Sequence, residues 1–518
     1  APDGAPPQWV RSPEGLGEHG GEPFARRMEV QPATVDLRTV PSVTPETPPL
    51  EQRRGRRPIP GPITEEEKEV LRQAALRMEP SENIQVLGEL APPVAQASNL
   101  GSGWESLNFG DDPNAIPPDP EVAVGPGHVI AAVNTAFEIY DKTGSSLTGA
   151  IQFETFFSVI PQCTNLFDPN VLYDESADRF FLGIDSNGTA FCIAASQTDD
   201  PTGVWNIYRV PTTPGLFFDY PHTGVGEDAF VMGANMFNGG FIQAEVYAME
   251  KADAYAGTTM TVVSQVLPGG STIDTPQPMN LHGFNQGTWP NTGVHYILSD
   301  LNFNGTSIRV WSWTDPFTSN VLGSVGTVDL NTASGVTGGF PLSFPNSGGV
   351  ALDGNDWRVQ DAEYRNGSVW MAHTISCNPG GGTVNCVRWA EIDPTVPSIV
   401  QAGVFASTGE YRQFPDLAVN ACGDMSIGYT KSSSSIFPGV FATGRLSTDP
   451  LGTVGSEATV KAGEVAYQAF GTRWGDYTGM TSDPDGVRTW YLGEYSESSA
   501  PTTARWGNYV QEFSTSCS

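Results

Sequence analysis

An all-β fold, a seven-bladed β-propeller with an extended N-terminal arm containing one short helix, is what this sequence predicts. The first ground is composition. The 518 residues include 58 Gly and 42 Pro, with 10% aromatic and only 16% charged residues, a turn-rich balance typical of sheet proteins. The second is a recurring unit: a short apolar strand opens at an acidic residue, turns through Gly, Asn or Asp, and returns. The third is spacing. Seven such units after residue 101, of about 60 residues and three or four strand-length segments each, match four-stranded sheets repeated about an axis. A run of β-sandwich domains is the alternative, but the units have no linkers between them and fall short of the roughly 100 residues a sandwich needs.

Taken in order, the first unit starts at Asp119-Pro120, with Val122–Val124, a turn at Gly125–His128, then Val129–Val133 and Phe137–Tyr140. The second starts at Asp168 and ends near Trp205–Val210; the third starts at Asp219-Tyr220-Pro221. A fourth, less regular, holds Met279–Phe284, His295–Leu298 and Ile308–Trp313. The fifth opens at Gln360-Asp361, the sixth at Phe414-Pro415-Asp416 and the seventh at Trp474-Gly475-Asp476, with Asp485-Gly486 as its hairpin signal.

Residues 1–100 are set apart from the propeller at 101–518. They have no Cys, are rich in Pro, and hold only Trp9 and Phe24 as aromatics, too little to form a core alone. Met28–Val40 carries Val30, Val35, Leu37 and Val40, enough for one added strand. Arg53-Arg54-Gly55-Arg56-Arg57 is a basic knot, read either as an attraction to the acidic body or as a propeptide cleavage site. Thr64-Glu65-Glu66-Glu67 is a capping box opening a helix over 64–78, with Val70, Leu71, Ala74, Ala75 and Met78 on one face. Such an arm is expected to dock on a neighbouring copy by strand addition, building an oligomer or filament.

Charge excludes two partner classes. Twenty-six Lys and Arg against 58 Asp and Glu give −32, which repels nucleic acid and anionic lipid. No run reaches the ~18 apolar residues of a membrane span. The opening Ala1-Pro2-Asp3, without an initiator Met, reads as a chain processed after export. The 6 cysteines form no CxxC pattern; an even number suggests disulfides and an oxidising compartment. Of the 15 possible connectivities, local spacing favours Cys163–Cys192, Cys377–Cys386 and Cys422–Cys517, the last tying the chain end to the sixth blade.

In a propeller the residue opening each innermost strand stands at the mouth of the central channel. Here those are Asp119, Asp168, Asp219, Asp361, Asp416 and Asp476. Converging carboxylates repel one another unless something neutral or positive intervenes. Calcium, taking six to eight oxygens, is one solution and makes these aspartates candidate ligands. Arginine is the other: Arg358, Arg412 and Arg473 lie three or four residues before Asp361, Asp416 and Asp476. They either pair with those aspartates or clamp a carboxylate ligand bidentately. Asp111–Asn114, Asp353–Asp356 and Asp483–Asp485 are further acidic turns with either calcium or plain turn chemistry. No nucleophile elbow, HExxH or phosphate loop is present.

The phrases FDPNVLYDESADRFFL, FDYPHTGVGEDAFVMGANMF, FPDLAVNACGDMSIGYT and RWGDYTGMTSDPDGVRTWYLGEYS resemble secreted bacterial β-propeller proteins, distantly similar to sialidases. The resemblance spans roughly 105–515 and leaves 1–100 unmatched. It implies a propeller outside the cell, and Arg358, Arg412 and Arg473 would imitate the sialidase arginine triad. Ser482–Trp490 departs from the sialidase Asp-box, S-x-D-x-G-x-T-W, because Asp485 abuts Gly486. The expected function is a non-enzymatic structural or adhesive extracellular module. A glycan hydrolase or a carbohydrate-binding propeller is the alternative.

Overall fold

Seven antiparallel sheets follow one another along the chain and close into a ring. The computed structural model describes residues 8–11, 24–43, 62–88, 99–111, 116–290, 293–467, 472–500 and 505–515. From the innermost strand outward, the first blade is Glu121–Val124, His128–Val133, Ala136–Asp141 and Ile151–Gln152. The second is Leu166–Asp174, Arg179–Ser186, Ala190–Ser196 and Val204–Pro211. The third is Phe217–Val225, Ala229–Phe237, Phe241–Glu250 and Met260–Val266, and the fourth Ile273–Pro278, Val294–Leu301, Ser307–Thr314 and Val321–Asp329. The fifth is Asp361–Arg365, Ser368–Cys377, Val384–Asp393 and Ser398–Ala406; the sixth Glu410–Val419, Met425–Ser433, Gly439–Arg445 and Ala458–Lys461. The seventh takes three strands from the C-terminal end, Gly479–Ser482, Arg488–Ser496 and Trp506–Ser514, and its outermost from far upstream, Asn99–Asn108.

The inner strands of the blades are buried on both faces, which is why they read as unbroken apolar runs, such as Phe180-Phe181-Leu182 and Phe230-Val231-Met232, rather than alternating. A hydrophobic core fills every joint. Ile130 and Ile139 meet Leu182 and Ile184 between the first and second blades. Val122, Val129 and Tyr140 meet Trp490, Leu492 and Val510 between the first and seventh, closing the ring. Hairpin turns repeat one chemistry. The carboxylates of Asp141, Asp174, Asp200 and Asp393 each accept the N–H two residues on, at 2.8, 2.9, 2.9 and 2.8 Å, and the hydroxyl of that same residue.

In the described residues the arm lies along blades of its own chain. Met28–Val40 supplies two elements instead of one strand: Phe24–Val30 pairs with Met260–Val266 of the third blade, and Ala33–Asp36 pairs with Val204–Pro211 of the second. Gln85–Val86 adds in parallel to Ser398–Ala406 of the fifth blade. These are edges of the same chain, where tethering keeps the local concentration of the arm high. Val35 and Leu37 join the core between the first and second blades, and Met28 and Val30 that between the second and third. The ring-closing strand Asn99–Asn108 straddles the expected boundary at residue 100.

The helix is Glu65–Ala75, with the capping box formed: Glu67 N–H donates to Thr64 Oγ1 at 3.2 Å and Thr64 N–H to Glu67 Oε2 at 2.7 Å. Its inner face differs from the apolar stripe expected. Val70 is exposed, whereas Lys68 and Ala75 are buried, and Arg72 reaches Asp353 at 2.7 Å and lies over the Phe340 ring. Leu71, with Ile63 before the helix, packs against Phe303, Phe340 and Trp357 on the same side. The Cys163–Cys192 and Cys377–Cys386 bridges are present. Cys422 is also disulfide-bonded; Cys517 and the basic knot at 53–57 lie outside the described residues.

Candidate functional site

The six aspartates proposed as equivalent strand openers occupy different levels of the channel. The equivalent feature is a non-glycine residue in the left-handed backbone region at the start of six innermost strands: Asp119, Asp168, Tyr220, Thr275, Phe414 and Asp476. At Asp168, Tyr220, Thr275 and Phe414 the pairing with the second strand slips, a bulge that bends the strand at the channel. Asp219 precedes this point by one residue and Asp416 follows it by two. Two residues along a strand move a side chain roughly 7 Å on the same face. The apolar run alone does not fix which residue of each strand stands at the bulge.

A left-handed Tyr, Thr or Phe costs about 1–2 kcal/mol, and bonds from the preceding blade hold it. Asn134 Oδ1 accepts Asp168 N–H at 2.8 Å; Asp168 Oδ2 accepts Tyr220 N–H at 3.2 Å; Asn235 Oδ1 accepts Thr275 N–H at 2.7 Å; Thr374 Oγ1 accepts Phe414 N–H at 3.1 Å. Polar residues inside apolar second strands, Asn235 in Gly233-Ala234-Asn235 and Thr374 in Ala372-His373-Thr374, were the signal for these joints.

Two clusters result. At the opening end stand Asp119, Asp168, Arg473, Asp476, Tyr477, Glu494 and Tyr467. Asn134 Nδ2 donates to Asp119 Oδ2 at 2.6 Å, Tyr477 OH to Asp168 Oδ2 at 3.1 Å, and Gly475 N–H to Glu494 Oε2 at 2.9 Å. Asp119 Oδ1, Glu494 Oε1 and the Tyr467 hydroxyl are buried with no described hydrogen-bond partner. Burial, and after it the charge of Asp168, pushes the Asp119 carboxyl well above the usual range while Arg473 opposes the shift. Burial does the same to Glu494. Arg473 pairs with Asp476, and these two keep 23% and 19% of their side-chain surface in solvent. Tyr220 packs edge to face on His222 beside them, and Tyr477 lies tilted against both rings; burial, then Arg358, lowers His222 to about 3.

Deeper, Asp361 and Asp416 join Glu121 and Glu363. Burial, then Glu363, raises Asp361 to about 8. Burial, then Asp361 and Glu363, raises Glu121 and Asp416 well above their ordinary values. Asp416 is spent on blade joining, accepting Leu417 N–H at 2.7 Å and Met480 N–H at 2.6 Å. Among the described residues no three carboxylate, imidazole or thiol groups are arranged to hold a metal ion.

The three arginines do not converge, and only Arg473 pairs with the aspartate that follows it. Arg358 takes Asp356 bidentately, at 2.7 and 2.5 Å, and stacks over Tyr220. Arg412 is held by Glu457 at 2.7 Å and Glu410 at 2.9 Å. The acidic turns are likewise neutralised by protein cations: Arg72 and Arg358 at Asp353–Asp356, Lys142 and Arg488 at Asp483–Asp485. Asp111 accepts Asn108 N–H at 3.1 Å, and 112–115 lie outside the described residues.

No protein-family model matches the chain, and no curated protein matches it. Solved structures similar to it include Raptor from Chaetomium thermophilum, at 9% identity over 81% of this chain and TM-score 0.42. The chain spans only 29% of that protein's length. An α-L-arabinofuranosidase from Fusarium graminearum is similar at 11% identity over 68% of this chain and 93% of its own, TM-score 0.38. An exo-β-1,3-galactanase from Phanerochaete chrysosporium is similar at 10% identity over 81% of this chain and 97% of its own, TM-score 0.30. These likenesses concern the fold alone.

Glu494, Tyr467 and Asn134 were not among the residues singled out from sequence. Glu494 stood in plain view in Leu492-Gly493-Glu494, an acid inside an apolar strand.

Proposed function

We propose that the protein is an extracellular, non-enzymatic propeller serving as an adhesive module, and that it binds a polyhydroxylated group, a glycan end, at the mouth formed by Asp119, Tyr467, Arg473 and Glu494. The observation that carries this is the set of buried oxygens without described partners: Asp119 Oδ1, Glu494 Oε1 and the Tyr467 hydroxyl. Tyr467 lies within electrostatic reach of Glu494, Arg473 and Asp119, which supports grouping the four. Buried polar atoms call for a hydrogen-bonding guest. Carboxyls whose affinity for a proton is raised by burial, together with a phenol, offer donors and acceptors to hydroxyls, and Arg473 offers a charged donor. Extracellular placement is supported by the disulfides and by the absence, among the described residues, of a helix long and apolar enough to cross a membrane.

Calorimetry against a panel of neutral and acidic sugars tests the reading. Binding weakened about tenfold by Tyr467→Phe, the loss of one hydrogen bond worth about 1.4 kcal/mol, is the expected result. A panel with no binder sinks it. A glycoside hydrolase is the second reading, favoured by one observation: burial pushes the Glu494 carboxyl well above its ordinary range, the direction a general acid needs. Release of reducing sugar that vanishes in Glu494→Gln distinguishes it.

A further inference from the structure

Innermost strands start at the Arg473 mouth and end at the opposite one, where the first hairpin turns of the blades lie. A segment from the fourth blade crosses that far end. Asn280–Leu281 lies inside the innermost strand of the fifth blade, pairing in parallel with Glu363 and Tyr364. His282 N–H continues the pairing to Tyr364 O at 3.1 Å. The chain then reaches the first hairpin turn of the second blade: Glu175 accepts from Gly283 N–H at 3.0 Å and Phe284 N–H at 2.9 Å, and contacts His282 Nδ1 at 3.0 Å. Gln286 Nε2 donates to Pro484 O, in the first turn of the seventh blade, at 3.3 Å, while Gln286 Oε1 accepts from Arg365 of the fifth at 3.2 Å. Trp289 packs on Phe284 and under Lys251 of the third blade. The second, fifth and seventh blades are not neighbours, so a segment touching all three turns passes over the axis.

His282 is the fastening. Its Nδ1 faces Glu175 and its Nε2 lies 2.6 Å from Glu363, both partners buried. Asn280 Nδ2 stands 3.1 Å from Nε2. The other charged groups near it are Asp361 and Arg365 of the fifth blade.

We propose that residues 280–289 form a plug sealing the far mouth, held by the Glu175–His282–Glu363 clamp and able to open without unfolding the ring. The channel is then blind at this end, with Arg473 and Asp476 at the other mouth. A buried cation between two carboxylates loses its balance when one is removed, so the clamp is the point at which the plug releases.

Hydrogen exchange on the full chain, followed by mass spectrometry, tests this. In the native protein the 282–288 peptide is expected to be protected through the amides of His282, Gly283 and Phe284. In Glu175→Gln its exchange is expected to speed about tenfold or more, with the strand Phe241–Glu250 unchanged, the signature of local opening. Gln286→Ala, which severs the reach to the seventh blade and disturbs no core, is expected to speed the same peptide if Glu175→Gln fails to fold. An unprotected 282–288 peptide in the native protein overturns the proposal. So does acceleration of all blades together in both variants, which would make the clamp part of the ring.

Discussion

Asn235 Oδ1 accepts the backbone N–H of Thr275 at 2.7 Å across the joint between the third and fourth blades, and Asn235 Nδ2 donates back to Thr275 Oγ1 at 3.2 Å. Thr275 sits at φ 48°, and this pair of bonds holds it there. Asn235→Ala leaves a buried N–H unpaired, and the expected loss is about 1–3 kcal/mol in urea unfolding. Asn134→Ala and Thr374→Ala, at two other joints, should cost similar amounts. No measurable loss at any of the three would remove the joints' claimed role.

The deep carboxylates make stability fall as pH rises. Asp361 titrates near 3.8 when unfolded and at about 8 when folded. A raised acid binds its proton more tightly in the folded state, so the folded form is penalised progressively from pH 3.8 to about 8 and constantly above that. Asp361→Asn should therefore raise the melting temperature, by an increment that grows over that window and is flat beyond it. An increment independent of pH would contradict the cluster.

His282 works in the opposite sense. Burial disfavours its charge, but Glu363 and Glu175 outweigh burial and lift it from 6.5 to about 10. Its contribution is fully present below pH 6.5 and is lost as pH rises through about 10. Melting curves from pH 7 to 11 should show a descending limb that His282→Gln flattens. A limb of equal slope in the variant would remove His282 as its source.

Removing residues 1–43 should uncover two outer edges, Val204–Pro211 and Met260–Val266, and delete the buried Met28, Val30, Val35 and Leu37. Bare edges pair with other chains. A lower melting temperature with concentration-dependent light scattering is expected. A truncated chain that stays monomeric and equally stable would show the arm to be dispensable.

Breaking Cys163–Cys192 by a double Ser substitution releases a loop of sequence separation 29 and should cost roughly 3 kcal/mol, read as a lower melting temperature. An unchanged value would mean the bridge stabilises nothing.

Composition, doubly apolar strands and turn residues by themselves determined the class of fold and the number of blades, because each blade repeats a local pattern set by neighbouring residues. The capping box at Thr64–Glu67 and two disulfides were legible for the same reason, their partners being close in sequence or obligate by chemistry. What only the tertiary structure decided depends on contacts far apart in the chain. Asn99–Asn108 closes the ring beside Trp506–Ser514, the arm lies on its own blades, and Arg358 turns from Asp361 to Asp356. Asp168 and Asp416, alike as strand openers in sequence, sit at different depths because the left-handed bulge falls at one and two residues before the other. A one-residue slip in a strand reverses the face a side chain presents, and that register is set by the neighbouring blade.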